Sequence, residues 1–194
     1  MSDLILASTS PYRAQALQRL GLHFRQEAPR CDEDALKQQG HAADEMACFL
    51  AQEKARSVAQ AFPQAVVIGS DQLALHRGQI LGKPGSTAAA QTQLQALSGS
   101  AHHLLTAMHI CSPQGEHRHL DRTVLHMRAL SPEAIARYVS LDQPLNCAGA
   151  YKIEAAGIGL FTRIESEDHS AITGLPLLAL MSHLIALGIP FPSE

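Results

Sequence analysis

Tryptophan is absent from this sequence, and aromatic residues make up only 4% of its 194 positions. Surfaces that bind single-stranded nucleic acid stack bases on aromatic rings, so this scarcity disfavours such a surface. The formal net charge of −3 also provides no general basic field for a nucleic-acid polymer. Any phosphate recognition must therefore be local.

Paired cysteines and long apolar runs are also lacking. The four cysteines are far apart and form no C-x-x-C pair, which argues against a zinc ribbon. No apolar stretch approaches the ~20 residues of a transmembrane helix, and Asp3 interrupts the start of the chain, so no signal peptide is recognised. We therefore expect a cytoplasmic protein with free thiols that neither spans a membrane nor binds a nucleic-acid polymer.

Two short histidine patterns, His102-His103 and His117-x-His119, resemble fragments of metal sites. They have neither an H-E-x-x-H pattern nor a partner cysteine pair beside them. We interpret these histidines as surface or strand residues.

Strand-like and helix-like segments mix throughout the chain, which indicates an α/β or α+β class in a single domain, residues 1–194, with a substantial core. Hydrophobic periodicity and turn residues define the segments. The predicted strands are 4–7, 24–28, 65–70, 103–111 and 122–130, and the predicted helices are 11–20, 44–61, 87–97, 132–141 and 175–187.

The first strand leads into a helix through Ser8-Thr9-Ser10-Pro11-Tyr12-Arg13. Ser10 can cap this helix and Pro11 suits its first turn. A helix N-terminus attracts anions, and Arg13 in the first turn would be better placed if it shared a phosphate with those N–H groups. The alternative is an ordinary capped helix with a surface arginine.

Further charged residues follow in separate segments. Asp71 comes where we expect a strand to end, and Lys83 lies in the Gly-Lys-Pro-Gly loop, where its ammonium can meet a phosphate. Asp71 and Lys83 could instead be ordinary turn residues. Lys54 could lie on a solvated helix face, and the acidic pair Asp32-Glu33 could belong to a solvated loop. Together they indicate phosphate and carboxylate chemistry without a P-loop or a dinucleotide glycine fingerprint.

The segments LILASTSPYRAQAL, DED, LAQEKA, VIGSDQ, GKPGS, LSG and YKIEAAGIGLF…GLPL occur in this order. With them the chain resembles the Maf family of nucleoside triphosphate pyrophosphatases from Leu4 to about Leu187. The resemblance implies an α/β fold with an elongated mixed sheet flanked by helices and a deep cleft between two lobes. It also implies hydrolysis of a nucleotide to the monophosphate and diphosphate with a divalent metal, Mg or Mn.

The resemblance assigns roles to individual residues by their place in these motifs. It makes Asp71 the catalytic acid and, with Glu33, a metal ligand; whether Asp71 takes the proton from water or chiefly holds the metal stays open. The phosphate-binding residues that it implies are Ser8, Arg13, Lys54 and Lys83.

One subgroup of the family, which cleaves 7-methyl-GTP, carries an aromatic residue, usually Trp, then Gln and Glu where this chain has Tyr12, Gln72 and Glu154. Relatives that cleave dTTP and UTP carry Arg, Thr and Gln. An aromatic face attracts the cationic 7-methylguanine ring, and a carboxylate accepts from both guanine N1–H and the exocyclic amine. We therefore expect a 7-methyl-GTP or related modified-nucleotide pyrophosphatase.

Two alternatives remain at this point. A dTTP/UTP pyrophosphatase of the same family would differ in the three base-site residues. A non-enzymatic regulator of cell division would not need Asp71, Lys54 and Lys83 together. The sequence leaves a homodimer open.

Overall fold

The structure, a computed structural model, describes residues 3–192, so the domain predicted over residues 1–194 includes two residues beyond this range at each end. The described residues form seven strands, six α-helices and two short 3₁₀ helices, 156–160 and 169–173. The strands are β1 (Leu4–Ala7), β2 (Arg25–Glu27), β3 (Val66–His76), β4 (Gln79–Leu81), β5 (Ala101–Ser112), β6 (Gly115–Met127) and β7 (Phe161–Glu165). The helices are α1 (Pro11–Arg19), α2 (Glu33–Lys37), α3 (Ala43–Ala59), α4 (Thr87–Leu97), α5 (Pro132–Asp142) and α6 (Leu177–Ala186).

One mixed sheet contains all seven of these strands within residues 3–192. Its order is β2-β1-β3-β5-β6-β7, with β4 paired to β3. The pairs β1–β2 and β1–β3 are parallel, whereas β3–β4 and β6–β7 are antiparallel. The predicted mixed sheet of an α/β protein is therefore confirmed.

The first strand is buried on both faces because helices cover both sides of the sheet. Leu4 and Leu6 pack in a core cluster with residues of α1 and α6, while Ile5 and Ala7 pack in a second cluster with residues of α3. This alternation explains why β1 reads as a continuous apolar run, as expected for a parallel strand. The prediction that helices flank the sheet is confirmed.

The third strand is longer than predicted, which changes the setting of Asp71. We expected the strand to end at Ser70, but β3 continues to His76, so the expectation that Asp71 follows a strand end is wrong. On one edge of β3 the partner changes, because β1 ends at Ala7 opposite Gly69 and β4 pairs with β3 only from Ala74, while β5 is the neighbour on the other edge. On this edge Asp71 therefore lies between the two paired stretches. The sequence also predicts a hairpin through Arg77-Gly78-Gln79, and the antiparallel pair β3–β4, with His76 opposite Gln79, confirms it.

Local signals located most helices closely. The hydroxyl of Ser10 accepts from the backbone N–H of Arg13 at 3.5 Å, and Pro11 is the first residue of α1, as predicted. The predicted acidic loop is partly wrong, because Asp32 caps the short α2, accepting from the backbone N–H groups of Asp34 and Ala35. A single helical turn carries too little periodicity to recognise from sequence.

The chain divides into two compact units. Unit 1 comprises the residues up to Asp71 together with Thr106–Asp121 and the residues from Asp168 onwards, and unit 2 comprises Gln72–Leu105 and Arg122–Glu167. Three strands, β3, β5 and β6, contribute residues to both units. The single domain and the cleft between lobes stay predictions.

Among the described residues, no helix combines the length and apolar character needed to cross a bilayer.

Gly69 permits the close approach of β3 to α3. A Cβ atom built on Gly69 would lie 2.3 Å from the carbonyl oxygen of Ala51 and 2.6 Å from the backbone nitrogen of Ala55. Because these are backbone atoms, neither can move aside alone. We expect Gly69→Ala to lower the free energy of unfolding by at least about 3 kcal/mol, measured by urea denaturation.

The matched control is Gly159→Ala, because a Cβ atom at Gly159 has no heavy atom within 4 Å. This control should stay within about 1 kcal/mol of the wild type. Equal stability of the two variants would contradict the close-packing interpretation.

Candidate active site in unit 1

Three predicted site residues meet in unit 1 around one ammonium group. Lys54 Nζ lies 2.6 Å from Asp71 Oδ1 and 3.0 Å from Glu33 Oε1. Lys54 and Asp71 are 5% and 6% exposed, whereas the Glu33 side chain is 41% exposed. A buried lysine requires a partner of opposite charge, and here the two carboxylates supply it. The interpretation of Lys54 as part of a solvated helix face is wrong.

The local structure explains how these side chains converge. Lys54 is the one charged residue in the buried stripe of α3, which otherwise contains Met46, Ala47, Leu50, Ala51, Ala55 and Val58. The backbone of α3 touches β3 at Gly69, two residues before Asp71. Glu33 begins α2, whose cap at Asp32 fixes the direction of the chain. A lysine in an apolar stripe is thus a sequence signal for a buried ionic site.

The donor set at this point suits a hard divalent cation. Two carboxylate oxygens, one from Asp71 and one from Glu33, converge on the same positive charge. Mg²⁺ and Mn²⁺ prefer carboxylate, water and phosphate oxygens and commonly use one or two protein carboxylates. The residues present therefore fit the predicted metal, and their role as its ligands stays a prediction.

The two predicted phosphate residues of the first loop contact each other. Arg13 Nη1 donates to Ser8 Oγ over 3.4 Å, and the backbone N–H of Ser10 donates to the same hydroxyl at 3.1 Å. Burial lowers the pKa of Arg13, while the nearby charges of Asp71 and Glu33 raise it. Because a guanidinium keeps its proton at neutral pH, Arg13 adds a fixed positive charge beside the carboxylates.

The structure reveals a support for Arg13 that the sequence analysis missed. Arg13 Nε donates to the backbone carbonyl of Gly174 at 2.9 Å, and the buried hydroxyl of Ser70 reaches the same carbonyl at 2.8 Å. Gly174 has φ +99°, and a Cβ there would lie 3.2 Å from Arg13 Nε. The sequence signal was the Gly-Leu-Pro turn, because a positive φ and close packing both favour glycine.

Asp168, also missed, secures the chain that leads to Gly174. Its buried carboxylate accepts from the backbone N–H of Ser170 at 2.9 Å and from that of Leu178 at 2.8 Å. The hydroxyl of Ser170 also donates to Asp168 and accepts from the backbone N–H of Leu177. These contacts join the 3₁₀ helix 169–173 to the start of α6, so they hold the Gly174 carbonyl in place.

Cys31 lies within the electrostatic influence of the same site. Burial raises the pKa of its thiol, an effect opposed by the charge of Lys54 and reinforced by those of Glu33, Glu53 and Asp71. Its sulfur is a soft donor and therefore a poor ligand for a hard cation.

The remaining predicted phosphate residue, Lys83, belongs to unit 2. It is exposed on a loop between β4 and α4. Two hydrogen bonds within unit 2 fix this loop: the Gly85 N–H donates to the carbonyl of Leu145 at 2.9 Å, and Gln93 donates to that of Gly82 at 2.9 Å. The lysine is thus presented by an anchored backbone with its side chain toward solvent.

Two of the three predicted base-specificity residues, Gln72 and Glu154, also belong to unit 2, whereas Tyr12 lies half-buried in the first turn of α1 in unit 1. Glu154 is exposed on the loop that precedes the 3₁₀ helix 156–160. The carbonyl of Lys152 accepts from the backbone N–H groups of Ala155 at 3.2 Å and Gly157 at 3.0 Å, which makes this loop a tight turn.

Buried rings anchor the chain just before that turn. The hydroxyl of Tyr151 and Nε2 of His102 form a hydrogen bond of 2.9 Å. The Tyr151 ring also packs edge-on against Phe161, with 4.9 Å between the ring centroids. The hydroxyl of Tyr138 accepts from the backbone N–H of Lys152 at 2.9 Å. His102 lies in β5, so its interpretation as a strand residue is confirmed. Its side chain is fully buried, and its Nδ1 has no hydrogen-bond partner among residues 3–192.

The comparison with known families places the chain in one of them. Residues 3–187 match the model of the family described as Maf-like protein, so the chain belongs to the Maf family.

Two curated relatives extend over the whole chain. A 7-methyl-GTP pyrophosphatase of Xanthomonas oryzae pv. oryzae is 47% identical over 192 residues, covering 99% of this chain and 100% of that protein. A protein of the same name from Pseudomonas aeruginosa is 39% identical over 194 residues, with the same coverage of 99% and 100%. A solved structure, titled a HAM1 protein from Coxiella burnetii, aligns with a TM-score of 0.48 and 13% identity, covering 98% of this chain and 100% of that one.

The buried imidazole of His102 predicts a loss of stability in acid. Burial, with the nearby charges of His76 and His103, lowers the pKa of His102 from 6.5 to about 4. Between these values the unfolded chain binds the proton and the folded chain does not. The free energy of unfolding should therefore fall as the pH decreases from 6.5 to 4, by about 3 kcal/mol from this residue alone.

The measurement is urea denaturation of wild type and His102→Gln at several pH values in this window. The variant should show a smaller decrease in acid, whereas His23→Gln, at an exposed position, should decrease as the wild type does. Parallel pH profiles for wild type and His102→Gln would contradict the assignment.

Proposed function

We propose that this protein is a nucleoside triphosphate pyrophosphatase that hydrolyses 7-methyl-GTP, or related modified nucleotides, to the monophosphate and diphosphate. The observation that carries the proposal is the convergence of Asp71 and Glu33 on the buried ammonium of Lys54, with Arg13 beside them. Full-length similarity to two proteins named 7-methyl-GTP pyrophosphatase supports the substrate class. A cytoplasmic location and a homodimer stay predictions.

Positive groups would bind the phosphate chain. Lys54 is buried and Arg13 is half-buried, and in such a setting attraction to a phosphate oxygen is stronger than in water. Ser8 adds a hydroxyl at the N-terminal side of α1. Lys83, on its anchored loop, would supply a further point charge. Such groups lower the barrier because they neutralise charge that develops on the phosphate oxygens.

Asp71 and Glu33 would hold a divalent cation, which when bound polarises a phosphate oxygen and lowers the pKa of water. In the proposed reaction, water adds to the α-phosphorus and the bond from that phosphorus to the bridging oxygen breaks, releasing diphosphate. The attacking water loses a proton, and the Asp71 carboxylate would either accept that proton or chiefly hold the cation. Lys54 keeps that carboxylate oriented through its 2.6 Å contact with Oδ1.

Three residues would select the base. Tyr12 would place an aromatic face against the cationic ring of 7-methylguanine, and the Glu154 carboxylate would accept from guanine N1–H and the exocyclic amine. Gln72 completes the pattern of this subgroup. Glu154 is exposed in the structure and its loop is a tight turn, so the carboxylate is available to a ligand without a change of backbone.

The experiment that tests the proposed function is diphosphate release over a panel of 7-methyl-GTP, GTP, UTP and dTTP with Mg²⁺ or Mn²⁺. The highest kcat/KM should belong to 7-methyl-GTP. A preference for UTP or dTTP would move the protein to the other subgroup, and no hydrolysis of any nucleotide would overturn the enzymatic assignment.

Asp71→Asn should abolish turnover, because an amide neither accepts the proton of water nor binds a hard cation strongly. We expect kcat to fall by at least about 100-fold. The matched control is Asp34→Asn, at an exposed acid on α2 whose carboxylate lies 4.0 Å from Lys37 Nζ, and it should keep wild-type kcat. If Asp71→Asn keeps more than about a tenth of wild-type kcat, the loss is below about 1.4 kcal/mol. That result would contradict a central role for Asp71 in the reaction.

Glu154→Gln should lower kcat/KM for 7-methyl-GTP much more than for UTP. The amide removes one acceptor and the negative charge, so one guanine donor loses its partner at a cost of about 1–3 kcal/mol, or about 5- to 150-fold. Steady-state kinetics on both nucleotides measures the difference. Glu167→Gln, at another exposed acid of unit 2, is the control and should change neither value; equal losses on both substrates in Glu154→Gln would contradict the role in base selection.

A further inference from the structure

A second cluster of ligand-type side chains lies in unit 1, at the hairpin between β5 and β6. His109 and Cys111 are two residues apart on β5 and therefore face the same side of the sheet. Glu116 follows the two-residue turn and belongs to the start of β6. The ligand atoms of these three side chains all lie within 4.8 Å of one another. The cluster thus combines one nitrogen, one sulfur and one oxygen donor.

We propose that His109, Cys111 and Glu116 form a binding site for a divalent cation of borderline softness, of which Zn²⁺ is the typical member. Zinc accepts imidazole nitrogen, thiolate sulfur and carboxylate oxygen in tetrahedral sites, with water in an open fourth position. At zinc–ligand distances of about 2.0–2.3 Å, neighbouring donors lie about 3.3–3.6 Å apart. The distance of 3.1 Å from His109 Nε2 to Glu116 Oε2 is close to this spacing.

The burial of the three residues fits such an open site. His109 is 5% exposed and Cys111 7% exposed, so both donors are held by packing against the core. The Glu116 side chain is 42% exposed, which gives a cation and its water access from solvent. Cys111 also belongs to the apolar cluster with Ala55 and Val58 from α3, and this packing fixes its position.

Arg56 holds the Glu116 carboxylate in place through two hydrogen bonds. Its Nε donates to Glu116 Oε1 at 3.1 Å and its Nη2 to Oε2 at 2.8 Å. These hydrogen bonds lower the pKa of Glu116, which favours its carboxylate form. A metal-bound carboxylate commonly keeps such an outer hydrogen-bond partner, although the positive charge of Arg56 reduces the affinity for a cation.

Cation binding would change the protonation of Cys111 and His109. Burial raises the pKa of the Cys111 thiol to about 11, so coordination releases its proton to solvent. Burial lowers the pKa of His109, so the imidazole is neutral and its remaining proton moves from Nε2 to Nδ1 when Nε2 binds the cation. The His109–Glu116 hydrogen bond is thereby replaced by two metal–ligand bonds, with a net release of one proton.

This site shares no residue with the proposed catalytic centre and differs from it in chemistry. Glu33 and Asp71 offer oxygen alone, which suits Mg²⁺ or Mn²⁺, whereas the hairpin cluster offers sulfur and nitrogen as well. The charges that act on Cys111 are those of Glu116 and Arg56. We therefore expect the two sites to select different cations.

The experiment uses Co²⁺ as a probe on the reduced, metal-free full-length protein, because cobalt reports thiolate coordination through an absorption band that zinc does not have. Wild type should show a sulfur-to-cobalt band that saturates at about one equivalent, with release of about one proton. Zn²⁺ should remove the band, and excess Mg²⁺ should leave it unchanged. Absence of the band in wild type would overturn the proposal.

Variants locate the thiolate. Cys111→Ser should lose the band, whereas Cys31→Ser, at the thiol near the oxygen-only centre, should keep it. Glu116→Gln, at a solvent-accessible position, tests the site without disturbing the core and should weaken cobalt binding at least about tenfold. A band that persists in Cys111→Ser, or an unchanged affinity in Glu116→Gln, would each contradict the site.

Nucleotide hydrolysis provides an independent readout. In excess Mg²⁺, Cys111→Ser should hydrolyse 7-methyl-GTP at the wild-type rate. The cobalt band is expected whether or not the protein hydrolyses any nucleotide, so failure of the proposed function and failure of this site are distinguishable.

Discussion

The contact between Lys54 and Asp71 is the interaction on which the proposed chemistry depends. Both side chains are nearly fully buried, and their charged atoms lie 2.6 Å apart. Removing either partner would leave an uncompensated buried charge, which costs several kcal/mol. Apolar residues of similar volume could fill this space without the cost of desolvating two charges. The proposed charged ligand gives a reason for keeping both charges there.

The surrounding fold provides the conditions for that contact. Gly69 lets the backbone of α3 approach β3, and the pairing of β3 with β1 ends opposite Gly69, so Asp71 lies just beyond it. On the other side, the Gly174 carbonyl holds Arg13 through its Nε. Packing and hydrogen bonding thus hold two positive and two negative groups in place for the proposed reaction.

The two ionic clusters of unit 1 differ in the donor atoms that they offer. Around Lys54 the acceptors are carboxylates alone, whereas the β5–β6 hairpin places a thiol and an imidazole beside Glu116. Hard cations favour the first set and borderline cations the second. The sulfur and nitrogen donors of the hairpin would therefore favour zinc over Mg²⁺ at the proposed second site.

The sequence by itself located five of the seven strands and five of the six α-helices described, because caps, turns and apolar periodicity act over a few residues. The α/β class and the site motifs followed from the resemblance to the family. It did not reveal that β3 runs through Asp71 without a break, since that depends on pairing with β1, β4 and β5. Nor did it reveal the contact of Arg13 with Gly174, 161 residues away, or the cluster at His109 and Cys111. Only tertiary packing decided these features, because contacts between distant segments depend on how strands pair and helices dock, for which local sequence carries no periodic signal.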